Sequence, residues 1–243
     1  MATITPGLFT YTEWAMRMDS TGKIADLVDL LSQNNGILED MLAVECQSGN
    51  SYEFTQVVEL PTPSRRAYNQ GVQRTMAAVA KQLQTCAEYS DWSVIDDSLA
   101  RLNGNLAELR ATEDALHMEG MSQTVSSDVF YANRATNPLE FTGFFNIYNT
   151  VSTTTSQIAN NVIDCGGTQS TNASMFLATW GPKHLHAIFP KGIPAGMQHV
   201  DMGKLPITDS NSNEFLAWRT WLQWNIGICI HDWRFGVRAA IST

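Results

Sequence analysis

Two histidines separated by one residue, His184 and His186, are the first candidates for chemistry in this sequence. Residues two apart on a strand point to the same face, so both rings could ligate one zinc ion. His199 or Cys165 could supply a third ligand, but neither stands at a spacing typical of zinc sites. Because three or four converging ligands are required, the sequence favours polar histidines at strand ends. We expect neither a metal nor another cofactor.

Other catalytic patterns are equally weak. The chain contains no GxSxG nucleophile elbow, no GxGxxG motif and no phosphate-binding loop. Glu108, Glu113 and Asp114 could act as paired acids, but their place on a predicted long helix favours solvated or inter-subunit carboxylates. Tryptophans among Ile and Leu favour a core or an interface over a sugar-binding platform; these are Trp218, Trp221, Trp224 and Trp233. The sequence therefore predicts a protein that is not an enzyme.

Composition suits a protein that is covered by neighbours. The 243 residues are 44% hydrophobic but only 16% charged, against about 25% charged in an average protein. The net charge of −9 and the lack of a basic run beyond Arg65-Arg66 disfavour tight binding of nucleic acid. No signal peptide and no apolar run of roughly 20 residues is found, so we expect a soluble protein. The four cysteines are expected to be buried free thiols.

The first half of the chain predicts an extended arm, a helical segment and a hairpin. Residues 1–22 carry no regular pattern and are typical of an arm that lies against another surface. From Lys23 apolar residues recur on one helical face, with Gly36 as an interruption. Residues 54–60 alternate as in a strand, and Pro61 ends that pattern. Residues 75–88 fit either a helix or a strand that completes a long hairpin, and both interpretations stay open.

The clearest helical pattern runs from about Ile95 to Tyr131, and Asp96 or Asp97 can cap its start. Leucines then repeat along one face, at Leu99, Leu102, Leu106, Leu109 and Leu116. Such a helix would exceed roughly 50 Å in length. Strand patterns follow at 175–180, 185–189, 204–208, 214–224 and 225–240, with Asp209–Asn213 as a hairpin turn. This order of elements predicts an α+β fold.

A set of short motifs covers nearly the whole chain. In chain order they are Asp19–Ala25, Asn69–Val72, Leu102–Arg110 with Glu113-Asp114, Phe130–Asn133, Asn137–Gly143, Asn161–Gly167, Trp180–Pro182, Ile188–Gly192, Ala195–His199 and Asp232–Arg234. Each motif alone is weak, and together they are fairly specific. The sequence that carries them resembles the short major capsid proteins of podovirus-like tailed double-stranded DNA bacteriophages.

The resemblance implies the Hong Kong 97-type capsid fold. Residues 1–45 would form the N-arm and its helix, and residues 46–90 the extended E-loop. Residues 91–140 would form the P-domain with its spine helix, and residues 141–214 the A-domain. The C-terminal strands, 215–243, would return to the P-domain and A-domain. The helical pattern at 75–88 is the one departure, because an E-loop needs a returning strand there.

The implied function is that of a structural protein that assembles into pentamers and hexamers, forming an icosahedral head around double-stranded DNA without sequence-specific binding. Its partners would be copies of itself, with portal, scaffold and cement or decoration proteins as further partners, and no membrane. It would be made in the host cytoplasm and reside in the virion. The candidate self-assembly contacts are Arg65, Arg66, Tyr68, Phe54, Glu108 and Arg110. A phage tail or receptor-binding component and a small metal-dependent hydrolase are the alternatives.

Overall fold

The computed structural model describes Trp14 and residues 35–102, 106–151, 157–166, 172–209 and 211–242. The predicted arm and most of the predicted first helical segment lie outside the described residues, apart from Trp14. Among the described helices, none is long and apolar enough to cross a lipid bilayer.

Helices and strands are both present throughout the described residues, which confirms the α+β prediction. The helices are α1 Gly36–Asp40, α2 Asp97–Ala100, α3 Leu106–Tyr131 and α4 Phe144–Ile147, with 3₁₀ turns at Gln157–Asn161 and Trp233–Phe235. The strands are β1 Ala43–Glu45, β2 Ser51–Glu59, β3 Ala78–Thr85, β4 Ala87–Asp96, β5 Val162–Asp164, β6 Asn172–Ala178, β7 Leu185–Phe189, β8 Met197–Thr208, β9 Glu214–Ile230 and β10 Gly236–Ser242.

The chain divides into two compact units. The first comprises Met1–Glu39, Glu88–Ser127 and Gly196–Asn225, and the second comprises Asp40–Ala87, Asp128–Ala195 and Ile226–Thr243. Each unit is therefore assembled from separate stretches of the chain.

The sheet of the first unit contains a long antiparallel pair, β8 with the first part of β9, and β4 is a further strand hydrogen-bonded to β9. Met197 lies opposite Trp224, and the pairing continues to Thr208 opposite Glu214. The Asp209 carboxylate accepts hydrogen bonds from the backbone N–H groups of Asn211 and Asn213, both at 2.8 Å. This confirms the predicted hairpin turn. The predicted break between 214–224 and 225–240 is wrong, because β9 continues without interruption to Ile230.

The predicted helix from Ile95 to Tyr131 is not one element. Ile95 and Asp96 end β4, and the Asp96 carboxylate caps the short helix α2 by accepting from the N–H of Ser98 at 2.7 Å. Helix α3 has 26 residues, which gives about 39 Å rather than 50 Å. The leucine pattern misled because it runs across the break: Leu102 and Leu116 are exposed, and the buried face of α3 carries Leu109, Met121, Val125 and Val129.

Three groups of strands build the second unit. Strand β1 pairs parallel with β7, which pairs antiparallel with the end of β9. Strand β10 lies between β5, to which it is parallel, and β6, to which it is antiparallel. Aromatic rings pack beside this second sheet, with Phe144 within 6.2 Å of Phe130, Phe176 and Trp180 between ring centroids.

The third group is the antiparallel hairpin of β2 and β3, which decides the open question at residues 75–88. Ser51 lies opposite Thr85, and Glu59 lies opposite Ala78. Residues 78–85 are therefore a strand, and the helical interpretation is wrong. The apolar spacing of Met76, Val79 and Leu83 imitates a helix, but hydrogen bonds to β2 determine the structure.

The cysteines differ from expectation at one position. Cys46, Cys86 and Cys229 are buried free thiols, as predicted, whereas Cys165 is exposed. Cys165 follows β5 directly, where the chain leaves the sheet.

Candidate functional site

The most unusual surface is the distal part of the β2–β3 hairpin. Every residue from 57 to 79 is exposed, although this stretch is rich in apolar groups. Leu60 is 75% exposed, Tyr68 is 99% exposed and Met76 is 90% exposed. Isolated apolar residues are common on protein surfaces, but a cluster of this kind marks a contact surface. We call residues 57–79 the hairpin tip.

The base of the hairpin is fixed to its own subunit. Phe54 is only 8% exposed and packs with Cys46, Cys86, Ile188 and Cys229. Its ring stacks on His231 at 4.9 Å between centroids. Phe54, one of the predicted self-assembly contacts, therefore points into the core of its own chain.

Gly227 on β9 lets this base pack closely. A Cβ atom at this position would lie 2.7 Å from the carbonyl oxygen of Thr85 and 3.1 Å from Cα of Cys86. Both are backbone atoms and cannot move aside as a flexible side chain would. Glycine is therefore required where β9 passes the end of β3.

Local hydrogen bonds shape the hairpin tip. A turn at Ala67–Gln70 is closed by the N–H of Gln70, which donates to the carbonyl of Ala67 at 3.3 Å. Asn69 has φ of 62° in this turn, a left-handed conformation that Asn tolerates better than most residues. Thr75 Oγ1 donates to the carbonyl of Thr62 at 3.5 Å. These contacts lie within the tip itself and cover none of its apolar groups.

The tip is also basic, although the chain is acidic. Residues 60–77 contain Arg65, Arg66 and Arg74 and no Asp or Glu, whereas the whole chain has a net charge of −9. Arg66 donates to the carbonyl of Gln70 at 3.4 Å, and Arg65 and Arg74 are exposed. A basic tip on an acidic protein is electrostatically complementary to a second copy of the same chain.

The two predicted contacts on helix α3 have different surroundings. Glu108 is exposed, and its backbone carbonyl accepts a hydrogen bond from Thr112 Oγ1 at 2.9 Å. Arg110 donates to Asp201 at 2.6 Å and lies 4.9 Å over the ring of Trp218. The Arg110 hydrogen bond is the main reason that the pKa of Asp201 is lowered. Arg110 thus joins α3 to β8 and β9 within one subunit.

Of the three carboxylates predicted to be solvated or inter-subunit, Glu108 is exposed, but Glu113 and Asp114 are buried. Glu113 and Asp114 both lie on the inner face of α3. Asp114 accepts from Thr220 Oγ1 at 3.1 Å and lies 3.0 Å from His199 Nε2. The solvated interpretation is therefore wrong for these two residues, and the Asp114 side chain links α3 to β8 and β9.

A second buried carboxylate network, which sequence reasoning missed, surrounds Asp97. Lys204 Nζ lies 2.5 Å from one carboxylate oxygen, and Trp218 Nε1 donates to the other at 2.9 Å. Arg101 Nε donates to the same oxygen as Trp218, at 3.1 Å. The Lys204 hydrogen bond is the main cause of the lowered pKa of Asp97. Because Lys204, Trp218 and Arg101 all bind the Asp97 carboxylate, we assign these contacts a structural role.

The histidines considered for zinc have separate roles. His184 stacks on Phe235 with 3.6 Å between ring centroids. His186 is fully buried, and burial lowers its pKa to about 4. Across the part of the chain that the structure describes, no three His, Cys, Asp or Glu side chains are grouped as metal ligands.

Comparison with known proteins identifies relatives by sequence family and by structure. The family model described as "Major capsid protein GP7" matches residues 19–241. No curated protein matches the sequence. A chain in the cryo-EM structure of bacteriophage Epsilon15 is 29% identical, with a TM-score of 0.77, over 98% of this chain and 71% of that chain.

Two more distant structures share the fold. The SrpI encapsulin from Synechococcus elongatus PCC 7942 is 8% identical with a TM-score of 0.60, over 94% of this chain and 95% of that chain. The capsid of Myoviridae phage XM1 is 7% identical with a TM-score of 0.57, over 98% of this chain and 100% of that chain.

Proposed function

The chain belongs to the family of major capsid protein GP7, and from that membership we propose how it builds a shell. Its fold is the Hong Kong 97 type. It is a major capsid protein of a tailed phage, and copies of it form the capsid shell. We infer the contacts between copies from the parts of the subunit that are exposed in the isolated chain.

We propose that the hairpin tip lies over a neighbouring subunit. The observation that carries this proposal is the exposure of Leu60, Tyr68 and Met76, each at least three-quarters accessible in the isolated chain. An extended hairpin can contact the surface of a neighbouring subunit, and its own subunit does not cover the apolar side chains at its tip. Stable assemblies bury roughly 2,000–5,000 Å² at an interface, and several contacts per subunit add through avidity.

In this proposal residues 46–90 are the E-loop, 1–45 the N-arm, 91–140 the P-domain and 141–214 the A-domain, with 215–243 returning to the last two. Subunits form pentamers and hexamers, because rings that close give a finite shell rather than a fibre. The shell encloses double-stranded DNA without sequence-specific binding, which the net charge of −9 supports. Portal, scaffold and cement or decoration proteins are further partners, and we propose no catalytic role.

Electrostatic attraction would direct the tip onto its neighbour. Arg65 and Arg66 would contact acidic groups of another copy, with Tyr68 beside them. Glu108 is an exposed carboxylate on α3 and is a candidate acceptor. Phe54 and Arg110 are left out of the proposed contacts, because both side chains are engaged within their own subunit.

Charge reversal at the tip tests this proposal. The double variant Arg65→Glu/Arg66→Glu should fold normally, because both side chains are exposed, yet should form no shells. The control is Arg65→Lys/Arg66→Lys, which keeps the charge and should assemble. Circular dichroism measures folding, and light scattering with negative-stain microscopy measures assembly. Normal particles from the glutamate variant would refute the role of the two arginines.

A further inference from the structure

Three of the four thiols meet where the hairpin joins the rest of the second unit. Cys46, Cys86 and Cys229 belong to one buried cluster with Phe54 and Ile188. The Sγ atoms of Cys46 and Cys86 are 3.6 Å apart. Cys46 is 2% exposed and Cys86 is 7% exposed. Since the two residues flank β2 and β3, a bond between them would enclose the whole hairpin.

The backbone holds both cysteines in place. The N–H of Cys46 donates to the carbonyl of Phe189 at 2.9 Å, and the N–H of Cys86 donates to the carbonyl of Asn50 at 3.1 Å. Asn50 Nδ2 returns a hydrogen bond to the carbonyl of Cys86 at 3.0 Å. A disulfide has a sulfur–sulfur distance of about 2.05 Å, so the two atoms must approach by roughly 1.5 Å. Closing the bond therefore requires rotation of at least one of the two side chains.

We propose that Cys46 and Cys86 are an oxidation site, which closes into a disulfide when the particle leaves the reducing cytoplasm. Disulfides persist on extracellular surfaces and virions but not in the cytosol. The cross-link would fix the base of the hairpin while leaving the tip unchanged. It forms within one chain, so its formation does not depend on the proposed docking of the tip.

The oxidant is a small peroxide, because the buried sulfurs exclude larger reagents. The Cys46 thiolate attacks hydrogen peroxide, the O–O bond breaks, and the leaving hydroxide takes up a proton to become water. The Cys86 sulfur then attacks the sulfenic acid on Cys46, and the hydroxyl leaves as a second water with the proton from Cys86. Two thiols are oxidised by two electrons in total, and one peroxide is reduced to two waters.

The order of these steps follows from the surroundings of the two sulfurs. Burial raises the pKa of both thiols, and the hydrogen bond between the two sulfurs offsets part of the effect on the pKa of Cys46. Cys46 is therefore the better first nucleophile. Because thiolate is scarce at neutral pH when the pKa of a thiol is raised, we expect the oxidation to be slow while the base of the hairpin is packed.

Peptide mapping of purified particles tests the proposal, since trypsin releases every cysteine in a separate peptide: residues 24–65, 82–101, 135–183 and 220–234. Particles are reduced, freed of reductant, treated with hydrogen peroxide, blocked with N-ethylmaleimide and digested without reductant. We expect peptide 24–65 linked to peptide 82–101, and loss of that species after dithiothreitol. Fully blocked Cys46 and Cys86, or Cys46 linked to Cys229 instead, would overturn the proposal.

Two variants control the experiment. Cys86→Ser removes the linked species and keeps every methionine that peroxide could also oxidise. Cys165→Ser removes the exposed thiol and should keep the link in full. Oxidised wild-type particles should also melt a few degrees above reduced ones, because closing the hairpin base restricts the unfolded chain. An equal rise in Cys86→Ser would show that the stabilisation has another origin and would overturn the functional part of the proposal.

Discussion

The exposed apolar groups of the hairpin tip give the most direct test of how this subunit assembles. We consider the double variant Leu60→Ser/Met76→Ser. Full burial of a leucine or methionine side chain contributes roughly 1.5–3 kcal/mol. Leu60 and Met76 are 75% and 90% exposed, so contact with their own subunit supplies only a small part of that stabilisation. Scaled by these fractions, the two side chains contribute about 2.5–5 kcal/mol per subunit if a neighbour covers them fully.

Such a loss would change the concentration at which shells form. With about 1.4 kcal/mol for each factor of ten, the variant needs a protein concentration that is higher by roughly 60-fold or more. Folding of the subunit should change by less than about 0.5 kcal/mol, as for ordinary surface substitutions. Light scattering over a concentration series measures the concentration at which shells form. Urea unfolding of unassembled protein measures the free energy of unfolding of the subunit.

A volume-conserving control separates apolar contact from shape. Leu60→Ile/Met76→Leu keeps two apolar side chains of similar size and should assemble close to the wild-type concentration. If the serine variant also assembled at that concentration, the tip would not be buried in the shell, and the reasoning from its exposure would be refuted.

Two further predictions concern the second unit. Gly227→Ala places a Cβ atom 2.7 Å from the Thr85 carbonyl oxygen and should destabilise the subunit by about 1–3 kcal/mol in urea unfolding. The matched control is Gly71→Ala, because a Cβ atom at that position has nothing within 4 Å. Equal stability of the two variants would contradict the tight contact at Gly227. Burial lowers the pKa of His186 to about 4 from 6.5, so below pH 6.5 the unfolded chain binds a proton that the folded chain does not, and stability falls until pH 4. Between pH 7 and pH 5 the wild type should lose about 2 kcal/mol more than His186→Leu, and equal losses in urea unfolding would contradict this.

Local sequence patterns predicted some of the C-terminal strands, and they predicted the long helix only in part. Residues 185–189 form a strand with the predicted bounds, and Asp209–Asn213 forms the predicted hairpin turn. Both depend on neighbours in sequence, namely a short apolar run and an Asp side chain that accepts local N–H groups. The helix prediction was wrong at its start because the leucine repeat crosses from α2 into α3. The spacing of the leucines carries no information about a break between two helices.

The buried polar networks could not be predicted from spacing. Asp97 and Trp218 are 121 residues apart in sequence, and Arg110 and Asp201 are 91 apart. No local signal distinguishes these carboxylates and cations from solvated ones. Strand β3 could not be predicted for the same reason. Its apolar spacing also fits a helix, and only its hydrogen bonds to β2 make it a strand.

The hairpin combines two regions with opposite requirements. A two-stranded hairpin by itself is marginally stable in water, and here only its base has a core to pack on, through Phe54 and the buried thiols. The base therefore sets the direction of the hairpin within the subunit, whereas in our proposal the tip gains its stabilisation from another copy. Substitutions at Gly227 should consequently weaken both folding and assembly, because a displaced base misdirects the tip. Substitutions at Leu60 or Met76 should weaken assembly alone, and this difference follows from where each residue finds its contacts.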